Sequence, residues 1–303
     1  MFMRSDRVGH FALTPDEFKR GDPRALFRLL VATTLFQRRQ DQQVMRILRD
    51  MRPDRVAELS SVSGLQTLAE TSPCDLLRNQ AVLLGDCDLG KDANGEGTCG
   101  RRPHLDCHLK QHTVWLKRYG HFGKVPTSAA LMLREVGAPD LGALYRRIVE
   151  TKATRRERSE ALENALRTSW RISEKIAAMF LSMLSNPDLG STPPWRELDH
   201  SYFVAVDSNT DLYLKSVGYS GAGTYSARRE FLWSLAERID LRRLKPGLQS
   251  YNPRIVQQAA YLFMSATNRR HADVDCSRDR PSTCGACPTA LQTRCPVVQS
   301  ASA

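Results

Sequence analysis

The sequence predicts an all-α fold. Apolar residues recur at helical spacing in several segments, and no segment alternates apolar and polar residues as a half-buried strand does. Gly- and Pro-containing stretches separate the helical segments, and no internal repeat is detectable. The chain has 303 residues, of which 41% are hydrophobic, so it can bury the core of one large domain or two moderate ones.

The first helical segment covers residues 22–50. The polar, basic run at residues 37–41 interrupts it, which predicts a helix, an exposed turn and a second helix. The apolar residues at helical spacing are Leu26, Leu29, Leu30, Val44, Ile47 and Leu48.

The middle of the chain contains one irregular segment and one helical segment. Residues 74–123 are rich in Gly, Asp and Asn, which predicts an inserted loop. Residues 127–184 are expected to form several helices. The charged run at residues 152–158 is expected to be a solvated or phosphate-facing surface. Residues 190–198 contain consecutive prolines and are expected to be a connection.

The last part of the chain continues this pattern. A short apolar run starting at Phe203 precedes a helix start, and residues 227–239 and 253–265 are expected to be helices. All these elements together favour an all-α architecture.

The charge balance favours a polyanionic partner. Lys and Arg total 44 against 33 Asp and Glu, which gives a formal net charge of +11. Nucleic acid is the first candidate, because basic side chains release the counterions condensed on it, although a protein that is merely basic is the alternative. No apolar stretch reaches the ~20 residues of a membrane span, and the N-terminus lacks the features of a secretion signal. We therefore expect a cytoplasmic protein without a membrane partner, nucleoid-associated if it is bacterial.

A reducing compartment favours metal binding or buried thiols over disulfides for the eight cysteines. The C-terminal group has a central pair separated by two residues, outer intervals of seven residues, and Pro296 directly after the last cysteine. Four thiolates on a compact loop suit a [4Fe-4S] cluster, and structural zinc is the alternative. The group consists of Cys276, Cys284, Cys287 and Cys295.

A second group of four cysteines lies in the irregular segment. Three histidines, His104, His108 and His112, accompany it. Zinc accepts four cysteines, or three cysteines and one histidine, from such a set, whereas free thiols and disulfide or redox roles are the alternatives. These cysteines are Cys74, Cys87, Cys99 and Cys107.

Several motifs together resemble the endonuclease III family of helix-hairpin-helix DNA glycosylases. The C-terminal cysteines follow that family's order of single, pair and single, with longer outer intervals. Residues 204–210, Val-Ala-Val-Asp-Ser-Asn-Thr, are similar to its Val-Asp-Thr-His stretch, with Asn209 in place of the histidine. Residues 121–126, His-Phe-Gly-Lys-Val-Pro, are similar to its His-Asn-Gly-x-Val-Pro connection. The matches cover about half the chain in the family's order.

The resemblance implies a helix-hairpin-helix glycosylase fold with a C-terminal [4Fe-4S] cluster. Residues 26–198 would form a six-helix barrel containing the hairpin and a Cys-rich insertion at residues 74–112. Residues 1–25 and 199–303 would form a second helical domain that carries the cluster. Zinc in the insertion would be an addition to the family's pattern.

The resemblance also implies two catalytic residues. Lys175 falls on the family's lysine, whose amine attacks the sugar C1′ to give a Schiff base and then permits β-elimination. Asp207 falls on the aspartate that helps to labilise the glycosidic bond. The alternatives are a surface lysine on an amphipathic helix and an aspartate that only caps a helix.

The expected DNA contacts lie in two segments. Arg171 and Ser173 replace the glycines of the family's hairpin, so either Arg171 contacts phosphate through its side chain or the hairpin does not grip DNA in the usual way. Residues 35–41 resemble the segment that fills the gap left by an extruded nucleotide, which predicts DNA contacts for Gln37, Arg38 and Arg39. A solvated turn is the alternative for this segment.

The expected function is excision of a damaged or modified base from double-stranded DNA by a monomeric enzyme, with AP lyase nicking of the strand through Lys175. A monofunctional DNA glycosylase and a catalytically inert DNA-binding homologue are the alternatives. The sequence does not define the excised base, because the residues of such a pocket are scattered over several helices.

Overall fold

A computed structural model describes residues 2–37, 39–189, 192–265 and 289. The described part contains fifteen α-helices and a single two-stranded sheet, which confirms the expected all-α class. The chain divides into two compact units, Met1–Asp199 and His200–Ala303. None of the helices among the described residues has the length and apolarity that a membrane span requires.

The helices of the first unit follow one another with short connections. They are α1 (Ser5–Val8), α2 (Pro15–Arg20), α3 (Pro23–Thr34), α4 (Asp41–Arg49), α5 (Pro53–Leu59), α6 (Val62–Glu70), α7 (Gln80–Asp86), α8 (His108–Leu116), α9 (Lys124–Glu135), α10 (Leu141–Thr151), α11 (Arg155–Arg167) and α12 (Glu174–Ser185). Short 3₁₀ helices cover Gly9–Phe11, Asp75–Leu77 and Gly120–Gly123.

Local chemistry explains why several of these helices begin where they do. Thr14 and Thr154 each form a capping box, in which the threonine hydroxyl accepts from a backbone amide and a glutamate three residues later accepts from the threonine amide. Asp22 and Asp140 cap α3 and α10 through their carboxylates. These caps satisfy amide groups that have no partner inside the helix.

Helix α3 lies at the centre of the first unit. It packs against α5, α9, α10 and α12, and nine of its residues are buried. Helices α3 and α4 are separated by residues 35–40, which confirms the predicted helix, turn and helix over residues 22–50. Because α3 is packed among these helices, the position of the turn that follows it is fixed.

The Cys-rich insertion is more regular than its composition predicts. It contains α7, α8 and the antiparallel strands β1 (Gly90–Lys91) and β2 (Gly97–Thr98), with Gly90 opposite Thr98. A side chain at Gly120 would place its Cβ 2.0 Å from the backbone of Gly90, so glycine is required for this close approach. The strands escaped sequence analysis because two residues are too few to show alternation.

Residues 127–184 contain most of α9, all of α10 and α11, and all of α12 except its last residue. The predicted series of helices is therefore confirmed. The charged run at residues 152–158 is an ion-paired surface: Arg158 pairs with Glu197 at 3.0 Å, and Arg156 pairs with Glu160 and Asp199. Residues 192–198 form no helix, which agrees with the predicted connection, and residues 190 and 191 lie outside the described part.

The second unit contains α13 (Ser208–Ser216), α14 (Tyr225–Glu237) and α15 (Pro253–Met264), with 3₁₀ turns at His200–Tyr202 and Leu241–Arg243. The two later helices agree with the predicted segments to within two residues. The apolar run before α13 is buried, and its Val204 and Val206 pack with Leu214 and Leu232.

The observed boundary after Asp199 lies next to the one expected from sequence. Residues 1–25 contribute α1 and α2, which pack against α4 and α3 in the first unit. Their grouping with residues 199–303 in one domain stays a prediction, as does the six-helix barrel.

Candidate functional site

Residues 168–173 connect α11 and α12, at the place where the resemblance predicts a hairpin, and we call this connection the hairpin. Arg171 lies in this connection with φ of 61°, in the left-handed region that favours glycine. Two hydrogen bonds to other segments hold the hairpin in place. The amide of Trp170 donates to Ser128 Oγ at 3.0 Å, and the Gln80 side chain donates to the Thr168 carbonyl at 3.0 Å. The Arg171 side chain is exposed. The backbone thus adopts a glycine-like turn and carries a guanidinium on it.

Left-handed backbone at a residue other than glycine occurs twice in the described part, at Arg171 and at Lys117 (φ of 48°). Each such residue costs roughly 1–2 kcal/mol. Both residues are basic, although asparagine and glycine tolerate this conformation better. Strained residues of this kind concentrate at functional sites, where the side chain is needed despite the cost.

Lys175 is the second residue of α12 and is half-buried, so it is not the fully exposed lysine of a solvated helix face. Its Nζ donates to the carbonyl of Phe36 at 3.2 Å, directly after α3. Gln37 Nε2 donates to the carbonyls of Thr34 at 2.8 Å and Arg171 at 3.0 Å. The structure therefore brings together Gln37, Arg171 and Lys175. Arg38 lies outside the described residues.

Ser173 is the N-cap residue of α12, but its side chain makes no capping hydrogen bond and is exposed. The first helical residue, Glu174, pairs with Arg167 of α11 at 2.5 Å. The amide groups at this helix start are available to an anion, because no capping side chain occupies them.

A cleft of about 680 Å³ is lined in part by Arg39, which lies on the same turn as Gln37. The Arg39 guanidinium donates to the Lys117 carbonyl at 2.5 Å. No aspartate or glutamate is among the lining residues, all of which are described. We call this the basic cleft; it is lined by Arg39, Gln43, Lys91, Lys117, Arg118, Tyr119, Gly120 and His121.

Aromatic rings accompany the cations of the basic cleft. Tyr119 is 54% exposed, and its ring stacks on His121 with centroids 5.7 Å apart. His121 also meets the ring of Trp170, in the hairpin, with centroids 6.0 Å apart. Positive charge combined with exposed aromatic rings is typical of surfaces that bind nucleic-acid backbones and bases. This ring contact connects the cleft to the hairpin.

The electrostatics of this surface are dominated by positive charge. Burial lowers the pKa of His121, and the nearby cations Arg171, Lys124 and Arg118 lower it further. Burial also lowers the pKa of Lys91, with a contribution from Arg39. His121 is therefore neutral near pH 7, and the positive potential comes from lysine and arginine.

Lys124 connects the Cys-rich insertion to the hairpin. It is 2% exposed, its Nζ donates to the carbonyl of Cys87 at 2.6 Å, and it lies 3.9 Å from the centre of the Trp170 ring. Burial lowers the pKa of Lys124. The carbonyl and the ring face together stabilise a charge that is otherwise costly to bury.

Asp207 lies in the second unit, whereas Lys175 lies in the first. Asp207 is the N-cap of α13: its carboxylate accepts from the amide of Thr210 at 2.8 Å and from the Thr210 hydroxyl at 2.9 Å. Gln257 of α15 donates to the same hydroxyl at 3.0 Å. The predicted capping role of Asp207 is confirmed; its catalytic role stays a prediction, since a cap can also serve in chemistry.

Arg254, on α15, lies close enough to Asp207 to interact with it electrostatically. Burial lowers the pKa of Arg254 to about 10, and the negative potentials of Tyr225, Asp207 and Tyr261 oppose this shift. Arg254 also contacts the Gln257 side chain. The cap is thereby part of a polar network between α13 and α15, in an environment quite different from that of Lys175.

The cysteines of the insertion converge, although they span residues 74–107 of the sequence. Cys74, Cys87, Cys99 and Cys107 line one cavity with five leucines, Arg102 and Lys110, and all four are free thiols. Among the described residues, no group of three or more His, Cys, Asp or Glu side chains is arranged to hold a metal ion. The C-terminal group of Cys276, Cys284, Cys287 and Cys295 lies outside the described residues.

The histidines of the insertion do not join the cysteines. His108 Nε2 bonds with Thr127 Oγ1 at 3.0 Å, and His112 Nε2 bonds with Glu58 at 2.7 Å. Burial lowers the pKa of His108 to about 3. His104 is exposed and is not among the residues that line the cysteine cavity. The structure therefore gives the alternative of three cysteines and one histidine no support.

Sequence analysis did not identify several residues of this site. Lys91, Lys117, Tyr119 and Lys124 contribute to the basic cleft or its support, although the resemblance assigned no role to any of them. Lys124 was visible only as part of a scaffold motif.

A comparison of the chain with protein-family models, with curated proteins and with solved structures finds no match.

Proposed function

We propose that this protein is a DNA glycosylase with AP lyase activity, which removes a damaged or modified base from double-stranded DNA. The observation that carries the proposal is the hairpin before α12. It combines a left-handed arginine, a helix start without a capping side chain, and Lys175 in the first turn. These features lie beside a basic cleft with an exposed tyrosine.

The hairpin supports DNA binding in a specific way. In the turn that the resemblance predicts, glycine lets backbone amides approach a phosphate closely. Here Arg171 keeps the left-handed backbone and adds a charged side chain, so both the amides and the guanidinium suit a phosphate. This favours the first of the two alternatives for Arg171, phosphate contact through its side chain.

Lys175 has the chemistry of the proposed nucleophile. Its amine, once deprotonated, attacks C1′ of the sugar, the bond between C1′ and the base breaks, and the base leaves with a proton. The resulting Schiff base permits β-elimination of the 3′ phosphate. Asp207 is the proposed carboxylate that stabilises positive charge on the sugar as the base departs.

The hydrogen bond from Lys175 to the Phe36 carbonyl favours a second candidate function. A lysine that only holds the end of α3 against α12 would leave base release to a water molecule activated by Asp207. The protein would then be a monofunctional glycosylase, which releases the base without nicking the strand.

Borohydride trapping separates these functions. Duplexes that carry single lesions or an abasic site are incubated with the full-length protein and borohydride, which reduces a Schiff base to a stable covalent link. We expect the wild type to be trapped and Lys175→Ala to lose at least 100-fold of the trapped product, while the exposed matched control Lys152→Ala traps normally. Equal trapping by wild type and Lys175→Ala contradicts the lyase assignment.

Base release without a nick supports the monofunctional enzyme instead. Salt-sensitive binding without base release or nicking on every lesion tested supports an inert DNA-binding homologue. Lys175→Ala removes a half-buried side chain and its hydrogen bond to the Phe36 carbonyl, which costs about 1 kcal/mol of unfolding free energy. Denaturant unfolding of the variant is therefore measured alongside, and a loss of trapping in protein that is still folded under the assay conditions is not a loss of fold.

A further inference from the structure

The basic cleft combines features that neither the chemistry of Lys175 nor phosphate contact by the hairpin requires. The turn after α3 supplies Arg39, the strand β1 supplies Lys91, and the end of α8 supplies Lys117 and Tyr119. Three separate segments thus place cations and one aromatic ring on a single concave surface of about 680 Å³. We propose that the basic cleft binds an unpaired nucleotide of a DNA strand, with its base stacked on Tyr119 and its phosphates beside the lysines and the arginine.

The cations of the basic cleft carry charge that the protein itself does not neutralise. Elsewhere in the insertion, the Arg101 guanidinium lies 3.0 Å from the Asp86 carboxylate. Among the described residues, neither Lys91 nor Lys117 has a carboxylate at salt-bridge distance, and none lines the cleft. Burial and the neighbouring Arg39 guanidinium lower the pKa of Lys91, so its charge has little compensation. Cations that meet in this way at one concave surface suit a polyanion, whose phosphates supply the missing negative charge.

Tyr119 presents an aromatic ring to solvent at the wall of the cleft. It is the one aromatic residue among the exposed large hydrophobic side chains of the described part, with 54% of its surface accessible. The ring is held in place, because it stacks on His121 with an interplanar angle of 17° and its centroid lies 5.6 Å from the Arg118 guanidinium carbon. A ring that is already oriented and still exposed loses little entropy when a planar base stacks on it.

Close backbone packing holds this ring beside a cation. The segment at Gly120 packs so tightly against Gly90 that a Cβ at Gly120 would lie 2.0 Å from the Gly90 backbone. Lys91 follows Gly90 in the chain and Tyr119 precedes Gly120, so this contact brings the lysine and the tyrosine to one place. The cleft therefore has its ring and this cation in position before a ligand binds, which lowers the entropic cost of binding.

The ring, the cations and the concave shape together favour an unpaired nucleotide over a duplex. The bases of a duplex stack on one another, so an exposed ring finds no base face to contact there. An unpaired nucleotide offers both a base face and phosphates, and proteins bind single strands with aromatic rings placed in basic grooves. A volume of about 680 Å³ lies within the range of roughly 300–1,000 Å³ that is typical of small-molecule pockets. The cleft therefore has room for one nucleotide.

This inference rests on the proposed function only in taking DNA as the polymer that supplies the nucleotide. The cleft contains neither Lys175 nor Asp207, so its occupation is separate from the proposed chemistry. Under the proposed function, the cleft selects DNA in which unpaired nucleotides adjoin the damaged duplex. Binding is measured on undamaged DNA, where no base is released. Failure of the binding test and failure of borohydride trapping are therefore distinguishable.

A comparison of two DNA probes tests the stacking of the base. Fluorescence anisotropy measures the affinity of the full-length protein for a blunt duplex and for the same duplex with a short thymidine tail. We expect the wild type to prefer the tailed duplex, and Tyr119→Ala to reduce this preference about 10-fold, the contribution of one stacked base. The matched control Tyr119→Phe keeps the ring and is expected to keep the preference.

Three outcomes of this comparison overturn the proposal. The first is equal affinity of the wild type for the two probes, and the second is a preference that Tyr119→Ala retains in full. The third is a loss in Tyr119→Phe as large as that in Tyr119→Ala, because the hydroxyl and not the ring would then contact the strand.

The salt dependence of the same binding tests the phosphate contacts. Lys91→Ala is expected to make the slope of log affinity against log salt less steep by about 0.7 for the tailed duplex, as for one phosphate of a single strand. The exposed control Lys152→Ala is expected to leave the slope unchanged. A slope that stays at the wild-type value in Lys91→Ala overturns the phosphate contact.

A cross-linking measurement needs no variant. The tail is made with bromouracil in place of thymine, and ultraviolet light links this base to a side chain in contact with it. Mass spectrometry of the digested wild type is expected to find the link within residues 117–121. The same base at a paired position in the duplex is the control and is expected to give no link there. Links found only in other segments overturn the proposal.

Discussion

The helix starts of α12 and α13 carry the two candidate catalytic residues in opposite surroundings. At α12, the N-cap side chain makes no capping bond, and the neighbouring groups include the cations Arg171 and Lys124. At α13, Asp207 is itself the cap and is tied to Thr210. The first helix start has no side-chain cap on its amide groups, whereas the second uses its candidate residue to hold the fold. Function and stability are therefore separable near Lys175 but share one side chain at Asp207.

The largest expected effect separates the two roles of Asp207. Asp207→Asn keeps an N-cap oxygen and is expected to retain the stability of the wild type, whereas Asp207→Ala loses about 1 kcal/mol of unfolding free energy. Both variants are expected to lose at least about 100-fold in base release, because neither carries a carboxylate. Denaturant unfolding and single-turnover base release measure the two quantities. Full activity in Asp207→Asn would show that the carboxylate has no role beyond capping.

The next effect tests the hairpin of α12. Arg171→Gly is expected to be more stable than Arg171→Ala by roughly 1 kcal/mol, since only glycine relieves the left-handed backbone. Both variants lose one phosphate contact, which makes the slope of log affinity against log salt less steep by about 0.9. DNA titrations at several salt concentrations measure this slope. An unchanged slope in both variants contradicts phosphate contact by Arg171.

Lys117 provides the matched position within the basic cleft. It shares the left-handed backbone of Arg171, so Lys117→Gly and Lys117→Ala are expected to differ in stability in the same direction. The slope of affinity against salt is expected to fall by the same amount as for Arg171. If only the Arg171 variants change the slope, DNA contacts the hairpin and not the cleft.

The smallest expected effect is a pH dependence of DNA affinity that arises from His121, which contacts Trp170 in the hairpin before α12. The pKa of His121 is lowered, so this residue gains its charge only below the ordinary histidine value of about 6.5. Protonation adds a cation to the cleft, so DNA affinity is expected to rise as the pH falls below 6.5. The lowered pKa of His121 also makes the folded protein less stable as the pH falls, because the unfolded chain binds the proton more readily. His121→Asn should abolish the difference, and a rise that persists in this variant has another source.

Sequence analysis predicted the parts of this site that depend on local chemistry. Asp207 was recognisable as a cap from its position before a helical segment, and the turn after α3 was recognisable from its polar run. The connection between α11 and α12 lies where the resemblance expects a hairpin, and its equivalence to the family's hairpin stays a prediction. Each of these features lies within a few residues of the signal that reveals it.

The parts that depend on tertiary packing escaped sequence analysis. Lys91 and Lys117 reach the cleft because the insertion folds back on the segment at Gly120, which no local pattern announces. The left-handed conformation of Arg171 was equally invisible, since arginine rarely adopts it. The four cysteines were grouped by residue type alone; their convergence on one cavity required the folded chain.

The buried Lys124 side chain makes the insertion and the hairpin thermodynamically dependent on each other. It touches the Cys87 carbonyl on one side and the Trp170 ring on the other. A ligand that holds Cys87 in place and a ligand that contacts the hairpin then act on one shared contact. Linkage requires that any gain in affinity be mutual: whatever factor a bound group in the cysteine cavity adds to DNA binding, DNA must add to the retention of that group.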